Sequence, residues 1–302
     1  MFEKLFSERG LSFDRLRVIV EVHEAGGIAQ AAPGDPVRQS QYSRQLRELS
    51  EFFGFEVAAR KGRQLRLTPG GARLAELARM QLQALQDFRA EARAESVDYT
   101  IAAGDSLIQW LVIPRLAKTV ARHAHVRFAT SNLRTHDIVQ QLVEGRVDFG
   151  VMRRDAMVPP LKSFPLGTLT FVFVAPRALL PAGKPLSLGE ALGQLPFAAH
   201  TSDGQFTEKL RTIARKAGRE MSPALTCESF PQTLAAVRTG GFAGILPSLA
   251  LRELDRDKYA ELFASDLHPL RRELVLAWNS RLVKIRPTAR KLIEDIQPEW
   301  RL

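Results

Sequence analysis

The stretch PVRQSQYSRQLREL, Pro36 to Leu49, decides the fold, because the two sides of the helix it predicts suit different surroundings. At 100° per residue, Tyr42, Leu46 and Leu49, continued by Phe53, fall on one apolar stripe, while Ser40, Gln41, Ser43, Arg44 and Arg47 turn the opposite way. The stripe is suited to a core. The outward set is an array of donors with almost no acid among them. Arg bridges guanine O6 and N7 or holds a phosphate, Gln pairs with an adenine edge, and Ser serves either. A basic helix face is otherwise simply solvated, so its neighbourhood decides between the two readings.

Upstream, Phe13, Leu16, Ile19 and Val20 predict a first helix ending near Gly26-Gly27, and a short helix follows through Ile28 to Ala32. Pro33-Gly34-Asp35-Pro36 then forces a turn, and Asp35 and Pro36 read as N-cap and first position of the next helix. Downstream, Arg60-Lys61-Gly62-Arg63 followed by Gln64 to Thr68 has the glycine turn and period-two alternation of a small hairpin, offering Arg63 and Arg66 to solvent or to a phosphate backbone. Thr68-Pro69 opens a helix that runs to about Glu95. Along it Leu74, Ala78, Leu82, Leu85, Phe88 and Ala92 recur at three- and four-residue steps, a seam that a second copy of the chain is expected to cover.

Charge agrees with this picture only locally. The 302 residues carry a formal charge of +10, yet residues 1 to 96 hold 15 basic against 13 acidic side chains. Residues 38 to 73 hold 8 against 3, and that patch is the polyanion signal. A single cysteine, Cys227, excludes an internal disulfide and reads as a small core residue. No apolar run approaches the roughly 20 residues of a membrane span, and the charged start MFEKLFSERG predicts no secretory signal, so a cytoplasmic protein is expected.

From Val97 onward strand and helix alternate: strands at Tyr99–Ala103, Val126–Thr130, Val147–Met152 and Leu169–Ala175, helices at Leu107–Arg122 and Asp137–Glu144. Such units predict a parallel sheet. A late strand, Arg272 to Ala277, re-enters it after a second set of elements, which implies two subdomains with a cleft between them.

Taken together, Ala31-Ala32, Ser43-Arg44-Gln45-Leu46, Leu49, Gly54, Gly62-Arg63, Leu67-Thr68 and either Gly70 or Gly71 resemble the LysR-type transcriptional regulators, and the resemblance covers nearly the whole chain. LVEGRVDFGVM (142–152) and ESFPQTLAAVRTGGFAGILPSLAL (228–251) resemble that family's later segments. It implies an α/β protein with an N-terminal winged helix-turn-helix (1–68), a long linker helix for dimerisation (69–96) and a C-terminal two-subdomain effector-binding domain (97–302). Subdomain I is expected over about 97–175 and 266–302, subdomain II over about 176–265. The sequence departs from the family's pattern at Arg38, Gln39 and Ser40, where a capping Ser, then Gln and Pro, usually open the recognition helix; a cap at Asp35 shifts the start and could turn Arg38 and Gln39 toward the groove.

The expected DNA contacts are therefore Arg38, Gln39, Ser40, Gln41, Ser43, Arg44, Arg47, Arg63 and Arg66. Matched by segment to the family, effector contacts are expected from Asp105, Ser106 and Leu107, from Thr130, Ser131 and Asn132, and from Thr201 and Ser202, with Ser106 alternatively a plain helix cap. Hydroxyls and helix N-terminal amides suit a small anion, which Arg134, Arg153 or Arg154 could neutralise. The partners expected are double-stranded DNA, a small-molecule effector and further copies of the chain, as a dimer and then a tetramer. No cofactor, metal or catalysis is expected: the six histidines form no HExxH pattern, and neither a GxSxG elbow nor a P-loop occurs. The rival is an α/β enzyme or small-molecule-binding protein whose divergent helix-turn-helix no longer reads a specific site.

Overall fold

The computed structural model describes residues 2–7, 10–61, 64–182, 186–200 and 204–302. The chain divides into two compact units, one of Met1–Val97, Glu144–Arg146 and Ser280–Arg290, the other of Asp98–Val143, Val147–Asn279 and Lys291–Leu302.

In the first unit, α1 (Glu3–Phe6) precedes α2 (Phe13–Ala25), which opens on the Ser12 hydroxyl and stops at Gly26, left-handed at φ 81°. The helices α3 (Ile28–Ala31) and α4 (Pro36–Phe53) follow. As expected, Asp35 caps α4: its carboxylate accepts the Arg38 amide at 2.9 Å. The strands β1 (Ala58–Lys61) and β2 (Gln64–Leu67) pair antiparallel with Arg60 opposite Leu65, forming the wing. Tyr42, Leu46 and Leu49 of α4 bury against Val18, Ile19 and Val22 of α2 and Val57 before the wing. At about 2 kcal/mol for each fully buried large aliphatic side chain, this cluster holds the head together.

The helix α5 (Pro69–Ala92) is capped by Thr68, which accepts the Gly71 amide at 3.0 Å. Of the Gly70-Gly71 pair, Gly71 is the constrained one, since a Cβ there would run into the Val57 carbonyl oxygen. The expected α5 seam divides: Leu74 and Ala78 pack into the head's core, whereas Leu85 and Phe88 are 51% and 70% exposed. Its own chain takes the first two turns because α2 lies against them. Asp87 and Arg286 are both buried and paired; the Arg286 guanidinium donates to both carboxylate oxygens, one of them at 3.2 Å.

In the second unit two five-stranded sheets hold β3 (Val97–Ala103), β4 (Val126–Asn132), β5 (Phe149–Arg153), β6 (Leu161–Leu169), β7 (Phe171–Pro176), β8 (Phe197–His200), β9 (Leu225–Cys227), β10 (Ala243–Pro247), β11 (Tyr259–Leu262) and β12 (Arg272–Asn279). The first sheet runs β4-β3-β5-β12-β6, the second β11-β7-β10-β8-β9. Both are mixed rather than parallel: β3 runs with β5, but β12 is antiparallel to β5 and β6 because it re-enters from the other sheet. The chain leaves the first sheet between Leu169 and Phe171, not near residue 175; with Thr170 alone between two strands, no turn residue marks the crossing.

The helices of this unit are α6 (Asp105–Leu107), a π-helical turn over Ile108–Val112, α7 (Ile113–Arg122), α8 (Thr135–Val143), α9 (Leu188–Gln194), α10 (Gly204–Lys216) and α11 (Phe230–Arg238); α12 (Leu282–Ile285) and α13 (Pro287–Ile296) close the chain. Cys227 is buried beside Ala198 and Ala236, in the core role expected of it. Among the described residues no helix is long and apolar enough to cross a membrane.

Candidate functional site

On α4 the donors expected to face DNA separate into two groups. Ser40, Gln41, Arg44 and Arg47 are exposed and Ser43 is half-buried, all past the first turn. Arg44 stands loosely by Glu48 at 3.9 Å, and the same carboxylate takes a closer bond from Arg15 at 2.5 Å. Arg38 and Gln39 are instead turned back on the head. Arg38 donates to the Tyr42 hydroxyl at 2.8 Å, sits over the Tyr42 ring and lies 3.4 Å from Glu21. Gln39 donates to the Ala32 carbonyl at 2.8 Å. With the Asp35 cap, both side chains brace the turn at the start of α4. In the wing, Arg66 is exposed and rests on Gln64 at 3.0 Å; Arg63 lies outside the described residues.

In the second unit the expected effector loops are neighbours. The Leu133 amide donates to the Ala103 carbonyl at 3.1 Å, which holds the end of β4, with Thr130, Ser131 and Asn132, against the end of β3 and the 105–107 turn. Asp105, Thr130 and Asn132 are exposed, and Ser106, Leu107 and Ser131 half-buried. Gly104, not Ser106, occupies the N-cap, and no side chain caps that turn, so capping does not account for Ser106. The π-helical turn that follows is pinned by the Trp110 ring nitrogen, which donates to Glu253 at 2.6 Å. Such turns recur at functional sites. Thr201 and Ser202 lie outside the described residues.

Next along the same sheet edge is a cavity of about 440 Å³ at the end of β5 and the start of β12, where Arg153 stands opposite Leu274. Arg153 and Arg154 come to it from the first sheet, Lys209 from α10, and Arg271 and Arg272 from the strand entry. Among the described residues the acids of its lining are Asp155 and Glu273. Arg153 holds Asp155 at 3.4 Å, and the Thr168 hydroxyl donates to Glu273 at 2.7 Å. The Arg272 guanidinium lies 5.4 Å from the Phe171 ring centroid and 5.6 Å from that of Phe206. Arg134, flagged alongside Arg153 and Arg154, is exposed and not part of this lining. Sequence reading missed Lys209, Arg271 and Arg272; the one available signal was the pair of arginine doublets, 153–154 and 271–272, which only the β5–β12 pairing brings together.

Two histidines adjoin the cavity lining: His268 is hydrogen-bonded to Arg271, and the His200 ring lies 6.4 Å from that of Phe206. His123 is buried at the end of α7, with Nε2 3.2 Å from Asp295, and burial lowers its pKa. His23 is likewise lowered, first by burial and then by Arg146. Among the described residues no group of three or more His, Cys, Asp or Glu is placed to hold a metal ion.

Two family models match the chain. Residues 13–72 match the bacterial regulatory helix-turn-helix protein, lysR family, and residues 92–301 match the LysR substrate binding domain. The chain is 27% identical over 241 residues to a probable hydrogen peroxide-inducible genes activator of Mycobacterium leprae, covering 78% of this chain and 77% of that protein. Among solved structures, a point variant of full-length OxyR from Pseudomonas aeruginosa is similar with a TM-score of 0.66 at 18% identity, over 97% of this chain and 96% of that one. Full-length CbnR complexed with its target DNA is similar with a TM-score of 0.54 at 19% identity, over 92% of this chain and all of that one.

Proposed function

The chain belongs to the LysR family of bacterial transcriptional regulators, and on that premise we propose how its sites divide the work. It has the family's helix-turn-helix and effector-binding domain. The observation that carries the DNA reading is the face of α4: Ser40, Gln41, Arg44 and Arg47 stand exposed, and no acid occurs from Pro36 to Arg47. We assign these four, with Ser43, to base edges and phosphates in the major groove, and Arg63 and Arg66 to the phosphate backbone beside it. Arg38 and Gln39 support the turn and join the interface at its edge. CbnR, captured with its target DNA, supports the same docking for this head.

We divide the chain at 68 and 96 into head, linker helix and effector domain, and assign the exposed Leu85 and Phe88 to the contact between two linker helices. Two such dimers would make a tetramer. We assign the effector cleft to the strand ends, with Asp105, Ser106, Leu107, Thr130, Ser131 and Asn132 lining it and Thr201 and Ser202 as further expected contacts. A ligand that prefers one closure of the two sheets would bias the pairing of linker helices and hence the spacing of the two heads on DNA. The regulator would act in the cytoplasm and catalyse no reaction; among the described residues the cavity lining offers cations and an aromatic wall, without a serine, cysteine or histidine nucleophile.

A salt titration of binding to the DNA upstream of the protein's own gene, with a scrambled duplex as control, tests this reading. Tighter, salt-sensitive binding to the upstream DNA is expected, and Arg44→Ala should weaken it by about 1 to 3 kcal/mol while leaving scrambled-duplex binding nearly unchanged. An Arg44→Ala protein that binds as well as wild type would overturn the assignment of α4.

A further inference from the structure

We propose that Val37, in the first turn of α4, packs against the C5-methyl group of a thymine in the major groove and so selects thymine at one position of the DNA site. The inference rests on the assignment of α4 to the major groove and adds a determinant of sequence that makes no hydrogen bond. Val37 is 70% exposed, whereas Tyr42, Leu46 and Leu49 of the same helix are buried, so the core has little use for it. Nor does helix formation call for it, since valine is a weaker helix former than the straight-chain residues. Lone apolar side chains are common on surfaces, but this one has a particular place. At 3.6 residues per turn, Val37, Ser40, Gln41 and Arg44 fall within about 100° of arc, on the side opposite Tyr42, Leu46 and Leu49. The face assigned to base edges therefore begins with an apolar group, at the end of a recognition helix that meets the bases.

Chemistry narrows what Val37 can meet there. Its isopropyl group neither donates nor accepts, so against a phosphate or the hydrogen-bonding edge of a base it would leave polar atoms unsatisfied. Of the groups displayed in the major groove, the thymine C5-methyl is the apolar one. The side chain is also held in place before DNA arrives. Asp35 accepts the Arg38 amide at 2.9 Å, while Arg38 donates to the Tyr42 hydroxyl and Gln39 to the Ala32 carbonyl, each at 2.8 Å, which fixes the backbone around Val37. Pro36 before it has its φ locked, and a β-branched side chain has few rotamers in a helix. Contact with a base then costs little conformational freedom. The early start of α4 thereby gains a consequence: a helix that begins at Pro36 is what brings Val37 into line with Ser40, Gln41 and Arg44.

A methyl-deletion scan tests the proposal. The full-length protein selects its preferred sequence from a random duplex library, and each thymine of that duplex is then replaced in turn by deoxyuridine, which keeps the base pair and removes only the C5-methyl. At the thymine that meets Val37, wild-type affinity should fall about fourfold, equivalent to one buried methyl group at about 0.8 kcal/mol. Val37→Ala should bind the thymine and deoxyuridine duplexes alike, whereas Val37→Ile, which keeps a branched apolar surface, should retain the wild-type response. Arg44→Ala should weaken binding to every duplex in the scan and still respond at that thymine. A scan in which no thymine methyl matters, or in which wild type and Val37→Ala respond equally at each position, overturns the role of Val37. The underlying assignment is tested separately by the same samples. If selection yields no preferred sequence, or Arg44→Ala binds the selected duplex as well as wild type, the assignment of α4 falls and the inference with it; weakening by Arg44→Ala without a Val37-dependent thymine overturns the inference alone.

Discussion

The Arg286 guanidinium and the Asp87 carboxylate lie 199 positions apart in sequence and are both removed from water. A buried pair of this kind contributes little net stability against an apolar replacement, but losing one member strands the other's charge. Arg286→Ala should therefore destabilise the first unit by about 3 to 5 kcal/mol, and the double replacement Asp87→Leu with Arg286→Met should recover most of that. Urea denaturation of both variants is the measurement, and a single variant as stable as the double one would refute the account. No periodicity announced this pair: Asp87 reads as an ordinary polar helix position. By contrast, the glycine needed at the start of α5 was half legible. The Gly70-Gly71 pair was visible, but only the approach of the Val57 carbonyl singles out Gly71.

At the scale of elements, α4 and α5 differ in how much of their fate is local. The start of α4 is set by Asp35 and Pro36, so Asp35→Ala should lower the head's stability by about 1 kcal/mol, read from its thermal midpoint; an unchanged midpoint would mean that the Arg38 and Gln39 bonds hold the turn alone. The stripe Tyr42, Leu46, Leu49 followed from 3.6-residue periodicity and is buried as expected. Periodicity could not say which partner covers the α5 seam, because a helix face looks the same whether its own chain or another packs on it. Leu74 and Ala78 are taken by the head, while Phe88 is 70% exposed. Phe88→Glu should accordingly shift sedimentation toward the monomer without loss of helix content; unchanged association would remove Phe88 from the contact.

At the scale of the whole molecule, each unit holds a histidine whose pKa burial lowers, His23 in one and His123 in the other. Their folded-state pKa values lie below the ordinary 6.5, so the unfolded chain binds their protons first. The stability they contribute is complete above about pH 6.5 and is lost as pH falls toward the depressed values. Glu76 acts in the opposite sense: burial raises its carboxyl, which favours the folded state as that group protonates nearer its ordinary 4.5. Thermal midpoints should fall between pH 7 and 5.5, less steeply in His123→Gln, and a flat profile would contradict the burial of both rings.

Local chemistry alone specifies the winged head, the capped start of α4, the long helix α5 and the alternation of strand and helix, because caps, prolines and hydrophobic periods act over a few residues and need no distant partner. It also pointed to the family, through residues whose spacing within the head is local. Packing in three dimensions is what turns Arg38 and Gln39 back on their own turn, mixes the sheets and sets the crossing at Thr170. Only it gathered Arg153, Arg154, Lys209, Arg271 and Arg272 around one cavity. Those outcomes depend on which strands pair and which way a late strand re-enters, and strand pairing is a contest among distant segments that no local pattern records.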